Sequence, residues 1–144
     1  MDTKIKLEEL KSKKWIDTTM IFEVLGTNRE IVEKSLKEHI KNLEKIKTCF
    51  VYKKEYSDIT KVEKPLRNID EGYSQIVEVN CMIKDLKTLT IISISYGPSS
   101  IEILEPDKIE LSAGEAQDIL NMVSGVVHKF AEVGLGGIVA TPKN

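Results

Sequence analysis

Histidine and cysteine each occur only twice in this chain, and tryptophan once. Two cysteines, Cys49 and Cys81, are too few for a secreted disulfide scaffold, and they lack the CxxC spacing of a zinc site. His39 and His128 have no sequence neighbour that would complete a metal pair or a catalytic dyad. No GxSxG, Walker A or HExxH pattern occurs. Gly134-Leu135-Gly136-Gly137 follows a helix instead of opening one, so it presents no amides at a helix N-terminus and reads as a C-cap. No apolar run approaches the roughly 18 residues of a membrane span. Met1 to Trp15 is charged and lacks the apolar middle of a signal peptide, so a cytoplasmic protein is expected. Charge of one sign is missing as well. With 21 basic and 23 acidic residues the formal net charge is −2, without the electrostatic footprint of a dedicated duplex-DNA binder. Nothing in these absences leaves a recognisable reaction, and no cofactor is expected.

What is present is periodicity. The 144 residues, 41% hydrophobic and 31% charged, suffice for one domain with a real core. Abundant Ile, Lys and Glu lean towards a thermophile or an AT-rich genome. Residues 1–14 are polar and are expected to be a loosely packed lead-in. Asp17 to Gly26 is β-branched and aromatic and predicts a strand. From Arg29 to Lys47, Val32, Leu36, Ile40, Leu43 and Ile46 recur at helical spacing behind a Thr27 or Asn28 cap. Thr48 to Tyr56 predicts a second strand. Residues 57–71, with Asp58, Pro65, Asn68 and Asp70, predict a long exposed connection, and Gly72 opens a third strand running to Met82.

Lys84 to Tyr96 is contested. Leu86, Leu89 and Ile92 fall at helical spacing, whereas Thr88, Thr90, Ile91, Ile92 and Ile94 favour a strand. Asp85 at its start and Gly97-Pro98 at its end decide for a helix. A strand from Ser99 to Leu104 follows, closed by Pro106. Ser112 with Glu115 forms a capping box that opens a long helix carrying Ala116, Leu120, Val123, Val127, Phe130 and Ala131, ending at Gly134. Residues 135–144 form a tail, flexible or a short extra strand. The order strand, helix, strand, strand, helix, strand is that of a ferredoxin-like α+β domain over residues 15–134, with an antiparallel sheet in the order 4-1-3-2 and an added C-terminal helix.

The stretch Tyr96-Gly97-Pro98-Ser99-Ser100-Ile101-Glu102-Ile103-Leu104-Glu105-Pro106, with the strand and helix before it, resembles the C-terminal extension module of WYL-domain regulators. The resemblance covers roughly residues 76–106 and implies the same fold. It carries no ligand or regulated gene with it, because the helix-turn-helix and WYL portions have no counterpart here. The chain is also similar to small archaeal proteins of undefined function.

Strand alternation sorts the faces. Met20, Phe22, Val24, Val77, Val79, Cys81, Ile101 and Ile103 should meet the helices. Ile21, Glu23, Tyr52, Ile76, Glu78, Glu102 and Leu104 should share the other face, a candidate ligand or partner surface. Its glutamates could hold a divalent cation or serve an enzyme as bases, or could be ordinary polar-out alternation. Because that face and the last helix both carry apolar side chains, either the helix covers the sheet or two copies pack together, and a homodimer or higher oligomer is expected. A hairpin centred on Pro65 would set Cys49 opposite Cys81 in the core, as free thiols. Lys53, Lys54, Lys61, Lys64 and Arg67, near Tyr52 and Tyr56, are the candidate contacts for single-stranded nucleic acid. The leading expectation is an interaction or ligand-binding module that self-associates through its sheet face or last helix. Nucleic-acid binding and a metal-dependent enzyme are the alternatives.

Overall fold

The computed structural model describes residues 2–66 and 69–134. Its elements run α1 (Thr3–Ser12), β1 (Ile16–Gly26), α2 (Arg29–Glu44), β2 (Cys49–Tyr56), β3 (Thr60–Leu66), β4 (Ile69–Ile83), α3 (Leu86–Tyr96), β5 (Ser100–Glu105) and α4 (Ala113–Glu132). The sheet is antiparallel with order β2-β4-β1-β5, and β3 adds to β4. This is the ferredoxin-like arrangement with an extra hairpin strand and a C-terminal helix.

The helices form where their stripes and caps agree. The Asn28 side chain accepts hydrogen bonds from the Glu30 and Ile31 N–H groups at 2.8 and 3.2 Å, and Val32, Leu36, Ile40 and Leu43 are all buried behind it. They close over Met20, Phe22, Val77, Val79, Cys81 and Ile83 of the two central strands. In α3 the strand-favouring residues are accommodated by back-bonding. The Thr90 hydroxyl donates to the Leu86 carbonyl at 2.8 Å, and Ser93 to Leu89 at 2.7 Å. Leu89 and Ile92 are buried on one side, and Gly97 ends the helix at φ 58°, a left-handed conformation that glycine adopts without strain.

Asp85 caps α3 by accepting from the Thr88 N–H at 2.8 Å. Its partial burial works against ionisation. The hydrogen bonds from Thr88 and the nearby Lys84 and Lys87 outweigh it and hold the carboxyl below its ordinary value of 3.8. A depressed folded-state pKa means that the stabilisation is present above that ordinary value and is lost as pH falls through the folded one. Asp85→Ala should therefore cost about 1 kcal/mol near neutral pH. Thermal melts of both proteins at descending pH should converge once Asp85 itself is protonated.

Three expectations are corrected. Residues 57–71 are not an exposed connection, since most of them form β3 and the start of β4, paired from Thr60↔Ser74 to Leu66↔Ile69. Turn-forming residues hid this strand. Pro65 is tolerated because β3 is an edge strand whose register shifts between Glu63 and Leu66. The lead-in is a helix, capped by Asp2, and its Leu10 is buried. Cys49 pairs with Ile83, and Cys81 with Val51, so the two cysteines stand diagonally and not opposite each other. A slip of two residues keeps the face, so both free thiols are still buried in the core. The neighbouring Cys81 thiol and burial push the Cys49 thiol far above its ordinary pKa. The tail, residues 135–144, lies outside the described residues.

Candidate functional site

The register places Ile21, Glu23, Ile76, Glu78 and Glu102 of the proposed sheet face as alternation predicts, whereas Tyr52 and Leu104 fall at bulges and have no paired partner. Ile21 pairs with Glu78, Glu23 with Ile76, and Glu102 with Thr19. The three glutamates thus occupy successive rungs and do not converge. Glu78 instead stands opposite Glu55, and Glu23 accepts a hydrogen bond from Ser74 at 3.2 Å. Among the described residues no group of three His, Cys, Asp or Glu is placed to hold a metal ion. Tyr52 donates to Asp17 at 2.6 Å, and burial with that contact raises the tyrosine above its ordinary pKa. Asp17 and Met82 are buried on this face, outside the main core cluster, as is Leu10. α1, joined to β1 by three residues and bonded from Lys11 to Glu105 at 3.6 Å, therefore closes this end of the sheet. Ile76 and Leu104 remain exposed beyond it.

The basic segment is placed differently from the expectation. Lys53 and Lys54 belong to β2, and Lys61 and Lys64 to β3, while Arg67 lies outside the described residues. Lys54 is ion-paired to Glu44 and Lys61 to Glu71, each at 3.0 Å. Those carboxylates compete with a phosphate for the same ammonium groups. His39 sits half-buried, its Nε2 2.8 Å from the Tyr96 carbonyl oxygen and its ring edge-on to Phe22, which ties α2 to the end of α3. His128 is exposed beside Glu132.

The surface that sequence reasoning underestimated is on the helix side. α4 does not fold over the open face of the sheet. It packs beside α3, with Lys87 and Asp118 paired at 3.1 Å. Half-buried Ile119, Met122 and Val126 form the side of α4 that meets α3. A quarter-turn away, Leu120, Val123, Val127 and Phe130 are 65, 47, 46 and 51% exposed. Their 3-4-3 spacing is that of a helix seam, and the flanking Gln117, Ser124, Ile119 and Val126 carry no charge. Length explains part of the exposure. A 20-residue helix spans about 30 Å, and the 11 residues of α3 span only about 16 Å of it. Ile91 and Ile94 of α3, the helix that α4 packs against, and Ile101 and Ile103 of β5 are also exposed, the last two by 39 and 41%. β5 ends the sheet, so its helix-facing isoleucines lack full cover.

Residues 17–143 match the MJ0538 family. The chain belongs to that family. The match spans the sheet from Asp17 onward together with α2, α3 and α4, and leaves out α1. The match is to this family and not to the WYL-associated module, which withdraws support from that resemblance. No curated protein and no solved structure matches the chain. Among the described residues, no helix is long and apolar enough to cross a membrane.

Proposed function

We propose that this chain is a non-enzymatic interaction module of the cytoplasm that works as a self-associated unit, joined through the apolar sector of α3, β5 and α4. The exposed seam Leu120–Val123–Val127–Phe130 carries the reading. Contiguous apolar surface of this kind is uncommon on monomers and marks interaction sites. Burying such side chains yields roughly 25 cal/mol per Å² removed from water. The small net charge of −2 offers little repulsion between copies. Of the two histidines, one is bound to a backbone carbonyl and the other is exposed beside Glu132. Two buried free thiols fit a reducing compartment.

Size-exclusion chromatography with light scattering tests this. The native chain should run as a dimer or larger. Leu120→Glu/Val127→Glu, at positions already exposed in one copy, should weaken association by about 100-fold or more with unchanged circular dichroism. A native chain that stays monomeric at high concentration would remove the proposal.

A further inference from the structure

We infer that the end of the sheet where α1 closes and α3 and α4 begin holds a binding site for a phosphate monoester with an apolar body. The site does not depend on the self-association proposed above. A cavity of about 320 Å³ opens there, between the end of α1, the junction of β4 with α3 and the segment joining β5 to α4. That volume falls within the range of small-molecule sites. Ile16, Leu86, Ile109 and Leu111 give it apolar walls, and Lys14, Lys84 and Lys108 line it from three separate segments. Among the described residues none of these three lysines has an ion pair, whereas the neighbouring Lys87 and Lys11 are paired with Asp118 and Glu105.

Three carboxylates also line the cavity, and two of them are already engaged. Asp85 accepts from the Thr88 N–H at 2.8 Å, and Glu115 accepts from the Ser112 hydroxyl at 3.2 Å. Each stands at a helix N-terminus, whose dipole offsets its charge. Glu110 is the third and belongs to no cap. The lining holds no arginine, the side chain that clamps a carboxylate with two parallel bonds. Lysines instead act as point charges, which suits the doubly charged phosphate group. Lys14 adds a separate observation. It ends α1 in the left-handed region at φ 62°, with the Trp15 N–H bonded back to the Leu10 carbonyl oxygen at 3.1 Å. Glycine takes that conformation without steric cost, and a lysine in its place trades ease of folding for a charge in the cavity. Lys14 and Lys108 also line a neighbouring recess with Trp15, so the sole tryptophan lies beside the site.

Hexyl phosphate tests the site by calorimetry, with Trp15 fluorescence as a second reading. It should bind the native chain with a Kd of about 0.1 mM or tighter. Inorganic phosphate lacks the apolar body and hexanol lacks the charge, so each should bind at least about ten-fold more weakly. Lys84→Gln and Lys108→Gln should each weaken binding about five-fold or more, and Glu110→Gln should tighten it about two-fold. Lys45→Gln, outside the cavity, should change nothing. Lys14→Gly should weaken binding about five-fold yet melt no lower than the native chain, which separates a binding role from a structural one. Sedimentation with phosphatidylcholine vesicles containing phosphatidic acid distinguishes the two sources of such a group. Pelleting of the native chain but not of Lys84→Gln assigns a lipid headgroup, and hexyl phosphate binding without pelleting assigns a soluble ester. No binding of hexyl phosphate at about 5 mM would overturn the site, as would binding that Lys14→Gly, Lys84→Gln and Lys108→Gln all leave unchanged.

Discussion

Val79→Pro should leave no cooperatively folded protein. Val79 is fully buried at the centre of β4 and is paired with Met20 on one side and with Lys54 on the other. Proline there removes a ladder N–H and drives its ring into a neighbouring strand, at a cost of about 3 kcal/mol or more. The lost packing of a fully buried valine adds roughly 2 kcal/mol. Together these approach the whole stability of a typical domain, about 5–15 kcal/mol. Circular dichroism should show no sigmoidal thermal transition. Val79→Ala, which keeps the N–H, should melt cooperatively at a lower temperature. Pro65 in β3 shows the contrast, because there proline sits at an edge beside a register shift. A native-like melt for Val79→Pro would mean that β4 is not the central strand.

Phe22→Ala should lower stability by about 3–5 kcal/mol and the melting temperature by roughly 6–20 °C. Phe22 is 2% exposed in the main cluster, and its ring meets the His39 ring edge-on at 5.4 Å between centroids. Truncation leaves a cavity and also removes the surface against which His39 is held 2.8 Å from the Tyr96 carbonyl oxygen. The end of α3 should loosen with the core. Phe22→Leu, which fills most of the volume, should recover most of the loss. Urea titrations of the two variants give the comparison, and a Phe22→Ala loss below about 1 kcal/mol would contradict the packing described.

Local pattern was a good guide where a residue's neighbours in sequence set its environment. The stripe of Val32, Leu36, Ile40 and Leu43 predicts α2, and Asp85 with Gly97 predicts the limits of α3 against the strand propensity of its threonines and isoleucines. Alternation placed Glu23, Glu78 and Glu102 on one face and Met20, Phe22, Val77 and Val79 on the other. Pattern misled where pairing partners are remote. β3 reads as a loop because Asp58, Pro65 and Asn68 are turn residues, yet the first half of β4 supplies a ladder that no local signal reveals. The Cys49 and Cys81 pairing was displaced by two residues because Cys49 meets Ile83 and Val51 meets Cys81, a register that a hairpin centred on Pro65 does not give. Leu7 and Leu10 gave only a weak helical spacing, and the burial of Leu10 depends on parts of the sheet formed much later in the chain.

By itself, the sequence determined the kind and order of every described element but α1 and β3, and the faces of the regular stretches of β1 and β4. Those follow from backbone geometry of period 3.6 and period 2, which acts over a few residues. Only the tertiary structure decided which apolar faces are covered. α1 closes one end of the sheet, α4 turns one flank to α3, and Leu120, Val123, Val127 and Phe130 are left facing water. Burial is settled by which surfaces meet and how far each extends, and a helix of 20 residues lying on one of 11 leaves apolar surface that a second copy can cover.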